Sequence, residues 1–315
     1  MNKPIFTAEK VNLVSDKGER FTYYHSEQFY IGGGAMGEVY KGWYANNPEQ
    51  KVAIKKVHAR HAENKSIRER AKFEASLFIV HPNLIKMLGY CESDQTKGPV
   101  YIISELIRGE TIDKFAKRIE SARRVVPVSK MMCSILDALH CLHTRTICHR
   151  DVKPSNIMVD HMGNAKLMDL GIATADGISF GTLNQGFGTY PYAPPEQITG
   201  ARDDVNHLSD IYSLGVTFYE LLTGFNPFYS RIEIETVERQ ITMPLPYNKF
   251  IPRPLFKVLL KATAKKKSDR YQSAEDFKKA VIKANKGGGV NWLVIVLGIL
   301  VIILLIFLVM IYINS

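Results

Sequence analysis

Paired cysteines are missing from this sequence. Its four cysteines, Cys91, Cys133, Cys141 and Cys148, form no CxxC pair, and Cys133 and Cys141 fall in an apolar helical pattern. That spacing argues against a zinc ribbon or a disulfide-stapled scaffold and suits buried free thiols in a reducing compartment. An apolar segment near the N-terminus is missing too, so Met1–Lys10 does not read as a secretory signal. Acidic residues are in deficit, 31 against 41 basic ones, which leaves a formal net charge of +10. Such an excess suits nucleic acid, an anionic membrane surface or a solvated basic face. No nucleic-acid-binding motif accompanies it, so no nucleic-acid partner is expected. The hydrophobic share of 46% is enough for a sizeable core, and the length admits one large domain or two lobes.

Long hydrophobic runs are also absent until the end of the chain. There Trp292–Ile313 reads WLVIVLGILVIILLIFLVMIYI, without charge or proline. As a helix it would be about 33 Å long, matching a hydrocarbon core of about 30 Å. Trp292 and Tyr312 stand near its ends, as interfacial aromatics do. Lys278, Lys279, Lys283 and Lys286 precede it and only Asn314 and Ser315 follow. The positive-inside rule then predicts a single-pass membrane protein with its large N-terminal part in the cytoplasm. The C-terminus would lie on the opposite face, with no external sensor built from these residues. Those lysines can also attract anionic lipid, and residues 286–291, with three consecutive glycines, read as a flexible juxtamembrane joint.

Residues 21–57 are rich in β-formers separated by turn signals and predict successive antiparallel strands. Within them Gly32, Gly34 and Gly37 form GxGxxG, followed by Val39. Alone this fits a hairpin turn or a dinucleotide fingerprint equally well. A dinucleotide site needs a helix directly after the glycines, whereas Glu38-Val39-Tyr40-Lys41 has strand character. A strand–glycine–strand flap can lay backbone N–H groups over phosphates. Strand alternation in Val52-Ala53-Ile54-Lys55 puts Lys55 on the same face as Ala53. A helix is expected over Ser66–Val80, carrying Glu69 and Glu74. Another, over Met131–His143, has apolar residues at helical spacing, and His140 and His143 there read as packing or surface residues. Further on come His149-Arg150-Asp151-Val152-Lys153-Pro154-Ser155-Asn156, then Asp169-Leu170-Gly171, Gly188-Thr189, Ala193-Pro194-Pro195-Glu196, SDIYSLG around Asp210, and Asp269-Arg270-Tyr271.

In this order the motifs resemble those of the bacterial-type, eukaryotic-like Ser/Thr protein kinases. The resemblance implies an α+β, two-lobed fold: a small antiparallel β lobe with one helix over about 21–107, and a mainly α lobe over about 108–285. Residues 1–20 carry no assignment and are either a short strand pair or a loose arm. The resemblance implies ATP as co-substrate and Mg²⁺ (or Mn²⁺) as cofactor. Asp151 would be the base that accepts the hydroxyl proton, Lys153 would neutralise charge on the γ-phosphate, and Asn156 and Asp169 would hold the metal. Ile31, Val39 and Ala53 would enclose the adenine under the Gly32, Gly34 and Gly37 flap. Lys55 would hold the α- and β-phosphates, oriented by Glu74 or else Glu69. His81-Pro82-Asn83 follows Glu74 more closely than the family's usual spacing. Ser104 would line the back of the adenine pocket, with the backbone of Glu105 and Leu106 as the hinge.

The same resemblance assigns structural and regulatory roles. Thr189 would bond Asp151 and Lys153 in the substrate groove. Glu196 would pair with Arg270, although Pro194 stands where the family has alanine. Asp210 would hold the catalytic-loop backbone. Arg150 would meet a phosphate on the activation segment, with Thr182 ahead of Ser179 and Thr174 as the acceptor. Lys153 after Asp151 points to Ser/Thr rather than Tyr acceptors in protein substrates. Self-association in the membrane would allow one chain to phosphorylate another. The alternative is a membrane-tethered, nucleotide-binding pseudokinase or scaffold.

Overall fold

The structure, a computed structural model, describes residues 6–34, 37–58, 61, 65–92, 98–169, 190–199 and 205–286. Seven strands build the small lobe: β1 (Glu9–Val14), β2 (Arg20–His25), β3 (Tyr30–Gly33), β4 (Gly37–Tyr44), β5 (Asn47–Val57), β6 (Met87–Glu92) and β7 (Val100–Glu105). Their order is β1-β2-β4-β5-β7-β6, with β3 added to β4, and every neighbouring pair is antiparallel. Glu9–Val14 pairs with β2 along its whole length. The sheet therefore begins upstream of the boundary expected at residue 21. Alternation turns Phe21, Tyr23, Tyr40, Val52, Ile54, Tyr101 and Ile103 onto one buried face. Each such side chain contributes about 1.5–3 kcal/mol by leaving water.

Helix α1 (Lys65–Ser76) packs Ala71 and Ala75 against Val57, Met87, Val100 and Ile102. It ends at Ser76 rather than Val80. The Ser76 hydroxyl donates to the Phe73 carbonyl at 2.8 Å, and tight turns from Glu74 to Ile79 replace the helical ladder. The early end of the helix accompanies the short spacing between Glu74 and His81-Pro82-Asn83. Asn83 then stitches the lobes together: its side-chain amide donates to the Ala165 carbonyl, and its own carbonyl accepts from the Leu167 N–H, both at 2.8 Å.

The large lobe holds α2 (Ile112–Lys117), α3 (Val125–His143), α4 (Pro195–Ile198), α5 (His207–Thr223), α6 (Glu233–Thr242), α7 (Arg253–Ala262) and α8 (Ala274–Lys286). A small sheet, β10 (Ala165–Leu167), β9 (Ile157–Asp160) and β8 (Gly109–Thr111), lies beside them. Helix α3 commits Val128, Met132, Ile135, Leu136, Leu139 and Leu142 to the core. Among the described residues it is the one helix long and apolar enough to cross a bilayer, but half of it is buried inside the lobe. The expected span 292–313 lies outside the described residues.

Helix α5 is fixed at both ends. The Asn206 side chain accepts from the Leu208 N–H and Ser209 closes a capping box, while Gly224 ends the helix at φ 89°, a left-handed conformation that glycine adopts without strain. This buried helix carries Asp210 and Tyr212 to the centre of the lobe.

Candidate active site

The turn between α3 and β9 carries His149 to Asn156. Ahead of the 3₁₀ turn Pro154–Asn156 its backbone follows no regular path, so its polar groups need side-chain partners. Asp210, fully buried on α5, supplies two: its carboxylate oxygens accept the N–H groups of His149 (2.8 Å) and Arg150 (2.7 Å). Burial, the largest single effect, works to raise the Asp210 carboxyl. The bond from His143 Nε2 at 2.8 Å, first among the opposing effects, and the His149 amide outweigh it and hold the group below its ordinary range. With its N–H tied down, Arg150 takes φ 66°, and Asp169 has φ 47°. Non-glycine residues so placed cost about 1–3 kcal/mol each and gather at functional sites.

His143, expected as a packing or surface residue, is nearly buried, and its bond to Asp210 carried no signal in the sequence. His149 was also missed: it is fully buried, its Nε2 lies 2.8 Å from the Met168 carbonyl, and its Nδ1 lies 3.3 Å from the Asp151 N–H. Those two contacts require the neutral tautomer with the proton on Nε2, which ties the Asp151 loop to the backbone just before Asp169.

Asp151 has one oxygen occupied and one spare. Its Oδ2 accepts from Lys153 Nζ at 2.8 Å and from Asn156 Nδ2 at 2.9 Å. Its Oδ1 is buried with no partner among the described residues. A buried acceptor without a donor is uncommon and marks a place where a donor can arrive. The Asn156 amide nitrogen also bonds the Asp151 carbonyl at 2.8 Å, so the carboxamide oxygen is the side of Asn156 left to other ligands. The Met168 N–H donates to the Asn156 carbonyl at 2.8 Å and so brings Asp169 beside Asn156.

Lys55 reaches Asp169 rather than Glu74. Its Nζ donates to Asp169 Oδ1 at 3.0 Å, while Glu74 is buried nearby without forming an ion pair to it. Burial, the largest effect, disfavours the Lys55 ammonium, but Asp169 and then Glu74 raise its pKa. The Lys55 charge in turn holds the Asp169 carboxyl low. Glu74 responds most to burial, which pushes it up to about 7 against the pull of Lys55. Glu69, the other candidate partner, is exposed and pairs with Lys65 at 3.9 Å. The expected direct pair between Lys55 and a helix glutamate is thus replaced by a pair across the cleft.

Around these groups, Ala53 stands opposite Ser104 between β5 and β7, and Val39 opposite Lys55 between β4 and β5. Gly32 pairs with Val39 on the flap, with Ile31 half exposed beside it. The Glu105 N–H is taken by the Lys86 carbonyl (2.9 Å) and its carboxylate by Lys166 (2.6 Å). Its carbonyl accepts a long bond from the Ser104 hydroxyl at 3.4 Å, and Leu106 and Ile107 lie beyond the strand. Below the cleft, Glu196 and Arg270 form a buried bidentate pair at 2.7 and 2.8 Å. Leu170, Gly171, Thr174, Ser179, Thr182 and Thr189 lie outside the described residues.

The comparisons with known proteins fit this geometry. The family described as the protein kinase domain matches residues 24–286. This chain belongs to the protein kinase domain family. The kinase domain is 33% identical over 255 residues to the serine/threonine-protein kinase PrkC of Bacillus subtilis, covering 78% of this chain and 38% of that protein. It is 32% identical over 276 residues to PknH of Mycobacterium bovis, covering 85% of this chain and 45% of the relative. It therefore has the bacterial Ser/Thr type of kinase domain and spans less than half the length of these relatives. Among solved structures, a PknI kinase domain of Mycobacterium tuberculosis superposes with a TM-score of 0.63 at 26% identity, covering 82% of this chain and 94% of that one. The two-lobed kinase fold read from the motifs is the fold found.

Proposed function

We propose that this protein transfers the γ-phosphoryl group of ATP to serine and threonine hydroxyls of proteins. The observation that carries the reading is Asp151: one carboxylate oxygen is fixed by Lys153 and Asn156, and the other is buried with no donor among the described residues. An acceptor hydroxyl that hydrogen-bonds to Oδ1 can pass its proton there. Lys153, beside the same carboxylate, neutralises charge on the phosphoryl group. Lys55 orients the α- and β-phosphates beneath the glycine flap of Gly32, Gly34 and Gly37. Ile31, Val39 and Ala53 enclose the base, and the hinge backbone binds its edge.

The donor set suits a hard divalent cation. The free side of Asn156 is a carboxamide oxygen, and Asp169 is a carboxylate held ionised by Lys55. Mg²⁺ bound there would neutralise phosphate charge during transfer. Arg150 Nε is buried without a partner among the described residues, so this cation is available to a phosphate. Autophosphorylation at Thr182 is the proposed source of that phosphate, with Thr189 acting in the acceptor groove.

We place the kinase on the cytoplasmic face of a membrane, anchored by residues 292–313. The apolar run and the basic end of α8, with Lys283 and Lys286 in its last turn, support this. Lys278 is spent on Asp137 at 2.6 Å, so it contributes less to lipid attraction than its neighbours.

Full-length protein given radiolabelled ATP should label itself or an added protein on Ser and Thr, and a chelator should abolish the labelling. The second reading, a nucleotide-binding scaffold, draws on the Lys55–Asp169 pair, which engages the carboxylate that would hold metal. Nucleotide binding without any labelling would establish that reading instead. A further expectation concerns Ser104, which is small and faces Ala53. Ser104→Phe should weaken adenine-site inhibitors with bulky aromatic extensions by about 1–3 kcal/mol, about five- to a hundred-and-fiftyfold in Kd. Equal affinity for both proteins would remove Ser104 from the pocket.

A further inference from the structure

The carbonyls of Tyr190–Tyr192 are held by side chains of the large lobe. Asn226 Nδ2 donates to Pro191 O at 3.1 Å, and the Ser213 hydroxyl donates to Tyr192 O at 2.9 Å. Gln240, fully buried on α6, donates its side-chain amide to Tyr190 O at 3.1 Å and to Pro191 O as well. The adjoining helix α4 returns to the Asp151 loop through Gln197, whose amide donates to Arg150 O at 3.2 Å. Residues 190–192 are therefore a surface clamped to the helical lobe and linked to the base.

What orients the Gln240 amide lies deeper. Its oxygen accepts from the Tyr212 hydroxyl at 2.5 Å. The same hydroxyl accepts from Lys265 Nζ at 2.8 Å, and Lys265 donates also to the Gln240 main-chain carbonyl at 2.7 Å. An ammonium group has no lone pair, so each of its hydrogen bonds runs outward. Tyr212 must then accept from Lys265 and send its own proton to Gln240. Gln240, accepting at its oxygen, must turn its nitrogen toward residues 190 and 191. Reversed, the amide would set its oxygen against two carbonyl oxygens in a buried site, where unpaired polar groups are costly. Burial first, and the Arg270 guanidinium second, bring Lys265 down to about 7. Its oxygen acceptors and the face of the Phe228 ring, 4.2 Å away, favour the charged form.

We infer that Lys265, Tyr212 and Gln240 form a one-way hydrogen-bond relay that positions residues 190–192 as the platform for the protein acceptor. Lys265 and Tyr212 are positioning residues, acting through Gln240 on the backbone of residues 190 and 191. The inference rests on the kinase reading. Without that reading the relay would still fix the backbone, but its purpose would be lost.

The test compares wild type with Tyr212→Phe, Lys265→Met and the double variant, full length, using a model protein acceptor. Each single variant should raise the KM for the acceptor about fivefold or more and leave the KM for ATP within about twofold. The double variant should be no worse than the poorer single one, because groups in one relay are not additive. A second measurement does not need catalysis. The Ala193 N–H donates to Tyr190 O at 3.2 Å, so releasing Tyr190 should speed hydrogen exchange in a peptide covering residues 190–199. Faster exchange in both single variants supports the relay even if wild type transfers no phosphate, a result that would count against the kinase reading alone. Unchanged exchange, or equal changes in the KM for acceptor and for ATP, overturns the relay.

Discussion

Asp151→Asn should lower phosphate transfer by about 10²–10⁴-fold, the range lost with a general base. The substitution keeps the size of the side chain and changes its polarity. The amide oxygen must face Lys153 and Asn156, since both donate to the present carboxylate oxygen. The amide nitrogen then occupies the position of Oδ1, presenting a donor where the acceptor hydroxyl also has a proton to give. Lys55, Asp169 and the glycine flap are untouched, so nucleotide should bind with its wild-type Kd. Labelling by radioactive ATP and titration with a fluorescent nucleotide measure the two quantities separately. Loss of both would mean that the loop had collapsed, and retention of more than half the activity would show that Asp151 is not the base.

The difference between what could and could not be read from sequence follows the range of the interactions. Asp151, Lys153 and Asn156 were legible because a short loop must bring a base, a cation and an amide together within a few residues. The Glu196–Arg270 and Asp210 contacts, though distant in sequence, were legible through family resemblance, since each is embedded in a recognisable local motif. The partner of Lys55 was misjudged for a physical reason. Asp169 and Glu74 are both carboxylates of the kind the lysine needs, and only the closure of the lobes and the position of α1 decide between them. The early end of α1 was hidden because Leu77, Phe78, Ile79 and Val80 continue an apolar run that helix propensity does not interrupt. The first strand stayed undecided between a strand pair and a loose arm because Glu9–Val14 is mostly exposed and carries little of the buried alternation that marks a strand. The Lys265 relay had no signal at all. A lysine in a basic stretch looks solvated until Tyr212 and Gln240, from two other helices, are seen to surround it.

Arg270→Met should destabilise the large lobe by about 3–5 kcal/mol, because it leaves the Glu196 carboxylate buried without its cation. At about 2–4 °C per kcal/mol for a domain of this size, the melting temperature should fall by roughly 6–20 °C. The size of the effect comes from completeness. All five guanidinium N–H groups of Arg270 are used: Nε on Ala264 O at 2.8 Å, one terminal nitrogen on Glu196 and Leu208 O, and the other on Glu196 and Lys265 O. Glu196 takes a further bond from the Ser209 hydroxyl at 2.8 Å. Burial is the largest effect on Glu196 and raises its pKa, but the Arg270 hydrogen bonds and charge outweigh it and hold the group below the ordinary range. A depressed folded-state pKa means that the pair's contribution is complete above the unfolded value, about 4.3. It is lost as pH falls through the lower folded value. Thermal melts from pH 7 down to pH 3 should therefore show wild type losing its advantage over Arg270→Met as acid protonates Glu196. Replacing both partners, with Glu196→Met in the same chain, should recover much of the loss, since no buried charge then lacks a partner. A double variant less stable than Arg270→Met would place the stabilisation in the individual contacts to Ser209, Ala264 and Leu208 rather than in the compensation of one buried charge by the other.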